Sequence, residues 1–143
     1  MLLNTTHNDK KIISQINDLV GKPYGLLDNF KLKGIGSPRL DIVKASNEIE
    51  KLLNRDNHRN YGNIELRPNG ILFRFNTRLE TYALVIPYYK LVIFKPGNSF
   101  TLHIDQHFVS FEALPTHKTI HRFVEKIMDF QLKSKPDNFV EIS

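Results

Sequence analysis

The stretch "LVIPYYKLVIFKPG", Leu84 to Gly97, is the most apolar run of the chain, and its reading decides the fold. From Leu84 to Phe94 it carries one charge, Lys90. A helix crossing a bilayer needs about 20 apolar residues, so the run is too short to span a membrane. Pro87 also divides it. Proline has no N–H to give a sheet ladder, so it belongs at a strand junction, a bulge or an edge. The run therefore reads as two strands or one sharply bent strand. Leu84, Ile86, Val92 and Phe94 alternate with Val85, Leu91 and Ile93, which makes both faces apolar. An antiparallel sheet with one wet face alternates more cleanly. The expectation is the centre of a sheet whose second face is covered, for part of its length, by the N-terminal helices or the C-terminal helix. The Tyr88-Tyr89-Lys90 step after the proline is the part expected to face a partner.

Outward from this run the period of two continues. "NIELRPNGILFRFN", residues 63–76, is a hairpin in which Ile64 and Leu66 face one way and Glu65 and Arg67 the other. Pro68-Asn69-Gly70 supplies its turn, with Gly available for a left-handed position. Further strands are expected at about 80–86, 88–94, 99–104 and 107–112, with "KPGN" and "DQ" as turns between the later ones. Pro115 ends the sheet. A helix from about Thr116 to Lys133 follows, with Ile120, Phe123, Val124, Ile127, Met128 and Phe130 as its apolar stripe. Pro136 stops it, and the tail is expected to dock through Phe139 and Ile142.

On the N-terminal side, residues 8–21 read as an amphipathic helix capped by Asn8 and ended by Gly21 and Pro23. Residues 24–36 form a connector with a short strand around Phe30 to Lys33. A second helix is expected from Ser37 as cap and Pro38 at its first position, with Ile42, Ala45, Ile49, Leu52 and Leu53 on one stripe. "NRDNHRNYGN" breaks it. The order is two helices, six strands and a helix. The strand connections are too short for parallel crossovers, so the class is α+β with an antiparallel meander. One domain is expected: a helical part over 1–60, sheet and closing helix over 61–133, and a tail over 134–143.

Composition narrows the function classes. The chain has 143 residues and no cysteine, which removes disulfides, thiolate metal sites and thiol nucleophiles. Its net charge of +5 is spread along the chain, without the cluster or stripe that nucleic-acid binding uses. Nothing at the N-terminus reads as a signal peptide, so a cytoplasmic protein without a transmembrane segment is expected.

Three constellations are candidates for chemistry. "HIDQH" offers His103, Asp105 and His107, residue types that can hold a divalent metal. Phe100, Leu102 and Ile104 read as the inward set, and a turn at Asp105-Gln106 would break the convergence. "HKTIH" places His117 and His121 at i and i+4 on the last helix, a spacing that can hold zinc, but no Glu follows His117. Arg67, Arg74 and Arg78 cluster around the first hairpin as an anion site, or as a solvated face on which Glu65 pairs with Arg74 and Arg78 with Glu80. No nucleophile elbow or Gly-rich phosphate loop is present. The reading is therefore non-enzymatic, with no cofactor.

"PNGILFRF", "ALVIPYYKLVIF", "SFTLHIDQHFVSFE" and the helix with Phe123 and Ile127 together resemble the small bacterial pleckstrin-homology-like domains. The resemblance covers about residues 62–133. It implies a bent barrel of orthogonal antiparallel sheets, a helix plugging one end, and a role in protein interaction or scaffolding. The two N-terminal helices lie outside that pattern. The basic motif that eukaryotic members use for phosphoinositides has no counterpart, so lipid binding is not implied. A helix-grip fold is the alternative; there Tyr88, Tyr89, Phe111 and Phe123 would line a cavity for a hydrophobic ligand. A histidine-based metal site is the second alternative. A protein partner is expected, and an exposed edge strand could pair two copies into a homodimer.

Overall fold

The computed structural model describes residues 1–7, 9–53 and 60–134. The elements in chain order are β1 (Leu2–Asn4), α1 (Lys10–Val20), α2 (Leu26–Lys31), β2 (Leu40–Ala45), α3 (Asn47–Leu52), β3 (Tyr61–Arg67), β4 (Gly70–Asn76) and β5 (Thr81–Pro87). A 3₁₀ turn (Tyr88–Lys90), β6 (Val92–Phe94), β7 (Ser99–Ile104), β8 (His107–Glu112) and α4 (Lys118–Lys133) complete them. The eight strands lie in the order β1-β5-β4-β3-β2-β8-β7-β6. Every neighbouring pair is antiparallel. The α+β class and the antiparallel sheet with a C-terminal helix thus agree with the sequence.

β2 is the shared strand. Leu40 and Asp41 pair with Gly62 and Tyr61 of β3. Ile42, Lys44 and Ala45 pair with Phe111, Ser110 and Val109 of β8, with a bulge between Ile42 and Lys44. A bulge bends its strand and raises local twist. The sheet so divides into a first half, β1-β5-β4-β3 with the start of β2, and a second half, the end of β2 with β8-β7-β6. Chain length requires the bend. β5 and β6 stand six places apart in the order, which in a flat sheet is about 28 Å. Five residues from Pro87 to Val92 reach at most ~18 Å. The sheet must curl for the 3₁₀ turn to connect them.

The concave side holds the core. Leu40, Ile64, Leu66, Phe73, Leu84 and Ile86 from the first half meet Phe100, Leu102, Val109 and Phe111 from the second. Ile120, Phe123, Val124 and Ile127 of α4 pack onto them. Phe111 stacks on Phe73 at 6.4 Å and contacts Phe100 at 6.0 Å between ring centroids. Each such side chain contributes roughly 1.5–3 kcal/mol by leaving water.

α1 covers the convex side of the first half. Asp9 caps it by accepting from the Lys11 N–H. Ile16 and Val20 press on Leu72, Ala83 and Val85. Gly70 makes the approach possible, because a Cβ there would stand 2.5 Å from Val20 Cγ1. This is the cover that the doubly apolar Leu84–Ile86 segment demanded: Leu84 and Ile86 face the core, while Val85 faces α1.

Several expectations need correction. Residues 40–45 form a strand, and only Asn47–Leu52 of the expected second helix is helical. Ser46, rather than Ser37, stands at its N-cap. The bulge explains the misreading: it turns the inward spacing of Leu40, Ile42 and Ala45 from two into three residues, which imitates a helical stripe. Phe30 to Lys33 is not a strand; it is the end of α2 and its left-handed exit at Lys33. The strand expected at 88–94 shrinks to Val92–Phe94 behind the 3₁₀ turn. β1 was not anticipated, so the count rises from six to eight strands. The expected cap Asn8, the breaker at 54–59 and the tail with Phe139 and Ile142 lie outside the described residues.

Candidate interaction surface

The convex side of the second half differs from that of the first. Val92 and Phe94 of β6 point outward and are 46% and 53% exposed. Their neighbour Ile93 points inward onto the core. Next to them on the same face stand His103 of β7 and Phe108 of β8. Phe94 meets the His103 ring edge-on at 6.3 Å, and His103 lies parallel to Phe108 at 6.5 Å. A row of three rings therefore crosses the half-sheet. Beyond it Thr101 and Ser110 join hydroxyls at 2.6 Å. No described helix buries Val92 or Phe94 as α1 buries Val85.

The row ends at a sheet edge. Among the described residues β6 has β7 on one side and no strand on the other. Tyr89 stands beside this edge, 81% exposed. Lys90 bonds Asp105 at 3.4 Å and lies 5.9 Å from the Tyr89 ring centroid. Lys95 follows β6 on its other side, 5.9 Å from the Phe100 ring. The edge is therefore apolar in the middle, with the Lys90–Asp105 ion pair at one end and Lys95 at the other. Gln131 of α4 fixes the approach to β6, donating to the carbonyls of Tyr88 at 3.0 Å and Leu91 at 2.7 Å.

The residues singled out by sequence separate here. Tyr88 does not join Tyr89 at the surface. It is 2% exposed and donates its hydroxyl to the Arg67 carbonyl at 3.0 Å. Burial pushes its phenol pKa well up, with Tyr24 adding to the shift. Arg67 is also internal. Its guanidinium holds Glu65 at 2.5 Å, Asn17 at 3.1 Å and the Gly21 carbonyl at 2.8 Å, which ties the end of α1 to the sheet. Arg74 takes the other Glu65 oxygen at 2.5 Å. Burial pushes the Glu65 carboxyl up, but the bonds and charges of Arg67 and Arg74 outweigh it, so its pKa lies below the ordinary value. Arg78 stands apart, exposed in the β4–β5 turn. Glu80, its expected partner, instead accepts from Asn4 and Tyr82, both at 2.8 Å.

The histidines are dispersed likewise. Asp105 sits at a left-handed turn, φ 51°, and breaks the line from His103 to His107. His107 is 7% exposed, and its Nε2 lies 3.8 Å from Glu48. His117 Nδ1 accepts the Leu114 N–H at 3.1 Å, and His121 Nε2 donates to the Leu114 carbonyl at 3.0 Å. The i, i+4 pair thus fastens one backbone unit just before α4. Among the described residues no three His, Asp or Glu side chains gather as a metal site. No described helix is long and apolar enough to cross a membrane.

Sequence reading expected cover over part of the run without saying which part, and so missed that Val92 and Phe94 point outward. Their parity, opposite to Ile93, was the available signal. It also missed α2, where Leu26, Leu27 and Phe30 share one side of a short helix. Comparison with known proteins adds no assignment: no family model, no curated protein and no solved structure matches this chain.

Proposed function

We propose that this chain is a non-enzymatic, cytoplasmic protein-interaction module with a pleckstrin-homology-like layout, and that it receives an extended protein segment at the β6 edge. The layout is supported by seven consecutive strands, β2 to β8, whose first member bridges to the last, and by α4 packed on the concave side. The packing of Tyr88, Phe111 and Phe123 in the core favours this layout over a helix-grip cavity lined by those residues.

One observation carries the functional reading: an unpaired edge strand borders a bare row of rings. Addition of a strand to a sheet edge draws affinity from main-chain hydrogen bonds and specificity from alternate side chains. A free edge left open is otherwise a hazard that proteins blunt with short strands, lysine and proline. β6 is short and flanked by Lys90, Lys95 and Pro96, so it resists indiscriminate pairing. The flanking cations also select the occupant. Antiparallel pairing of two copies about Ile93 would bring the lysines of both copies to the same short ladder. A segment with apolar residues and an acidic one beside Lys95 fits better.

The test is capture of partners from cells that express the chain, followed by reconstitution with each purified partner. Phe94→Asp is expected to weaken the reconstituted complex about tenfold or more. Equal affinity for wild type and Phe94→Asp would sink the proposal, as would a catalytic turnover that maps to a discrete cleft. A homodimer lost in Phe94→Asp would reassign the edge to a second copy.

A further inference from the structure

A second apolar cluster lies on α2, outside residues 62–133. Leu26, Leu27 and Phe30 are 90%, 79% and 86% exposed. At i, i+1 and i+4 they fall on one side of the helical turn. Lys31 borders that side, and Lys33 lines the same open hollow as Leu26 and Phe30. No carboxylate among the described residues lines this hollow. Asp28, the acidic residue of α2, falls on the opposite side and acts on Tyr24, whose phenol burial and the Asp28 charge both push up.

The cluster is tied to α4. Lys126 of α4 donates to the Leu32 carbonyl and, at 2.7 Å, to the Gly34 carbonyl. Tyr24 packs edge-on against Phe130 at 6.5 Å. Two attachments to α4 so hold three apolar side chains out in water. The three side chains project into solvent beside the open hollow. A fluid apolar medium would accept all three at once, and cations beside them match a negatively charged surface.

We propose that α2 is a contact for an anionic lipid surface: Leu26, Leu27 and Phe30 enter the boundary between headgroups and acyl chains while Lys31 and Lys33 meet lipid phosphates. Lysine suits the rim because its stem lies along apolar surface while the ammonium stays in the polar layer. The inference stands independently of the β6 edge.

Sedimentation of the full chain with vesicles tests it. Vesicles of phosphatidylcholine mixed with phosphatidylglycerol are expected to carry the protein down, less so as salt rises. Vesicles of phosphatidylcholine alone are expected to leave it in solution. The double variants Leu27→Asp/Phe30→Asp and Lys31→Glu/Lys33→Glu are each expected to lower the association constant about tenfold or more. All four side chains are exposed, so an unchanged unfolding transition should accompany the loss. No binding to the anionic vesicles, or binding that survives both double variants, overturns the proposal. A dimer or protein complex that Phe30→Asp abolishes, in a chain that ignores vesicles, overturns it too.

Discussion

The convex faces of the two half-sheets are built from similar residues and used differently. In the first half Leu72, Ala83 and Val85 are fully buried beneath α1. In the second half Val92 and Phe94 occupy equivalent outward positions and stay half exposed. The first face is apolar because a helix of the same chain rests on it. The second has no such helix among the described residues, so its apolar character needs a reason outside the core. That difference is why the second face, and not the more strongly apolar first, is the candidate surface. Five substitutions can break or sharpen this comparison.

The largest effect is expected under α1. Leu72→Ala removes a fully buried side chain between helix and sheet, and unfolding by denaturant should show a loss of about 2–5 kcal/mol. A loss below ~1 kcal/mol would mean that α1 is only loosely seated.

Arg67→Ala comes next. It leaves Asn17, the Gly21 carbonyl and one Glu65 oxygen without their donor. A loss of about 2–4 kcal/mol is expected, discounted for the part-exposed Glu65. The same cluster predicts a pH dependence. Glu65 titrates below its unfolded value, so its contribution is present above the unfolded carboxylate range. It fades as pH falls through that range and is gone below the depressed folded pKa. In Glu65→Gln this part of the acid sensitivity should disappear from stability measured against pH.

Gln131→Ala removes both donors that fix the carbonyls before β6. About 1–2 kcal/mol should be lost, and amide exchange around Leu91 and Val92 should accelerate more than that of β5. The smallest effect on stability belongs to Phe94→Asp, expected to cost about 1 kcal/mol or less. A large destabilisation there would show that the ring row is structural and would remove the contrast between the faces.

How far sequence could reach is clear from the same regions. Alternation made β3 and β7 legible, turn residues marked off β4 and β8 beside them, and Pro87 marked a break. The doubly apolar Leu84–Ile86 segment announced its cover. β2 was hidden because its bulge replaced a period of two by a spacing that a helix also produces. β1 was hidden because Leu2–Asn4 is too short to show a period. The candidate surface was legible only in Tyr89 and Lys90. Tyr88 beside them looks equivalent in sequence, yet the 3₁₀ turn sends it inward to the Arg67 carbonyl. The His117 and His121 pair had metal spacing, but its target is the Leu114 backbone, which no spacing rule reveals.

Amide hydrogen exchange of the chain, alone and in complex with a reconstituted partner, tests the central claim most directly. The account predicts new protection at Val92, Ile93 and Phe94 on binding, with Ala83 to Val85 beneath α1 unchanged. Protection gained on other elements with none at β6 would contradict it.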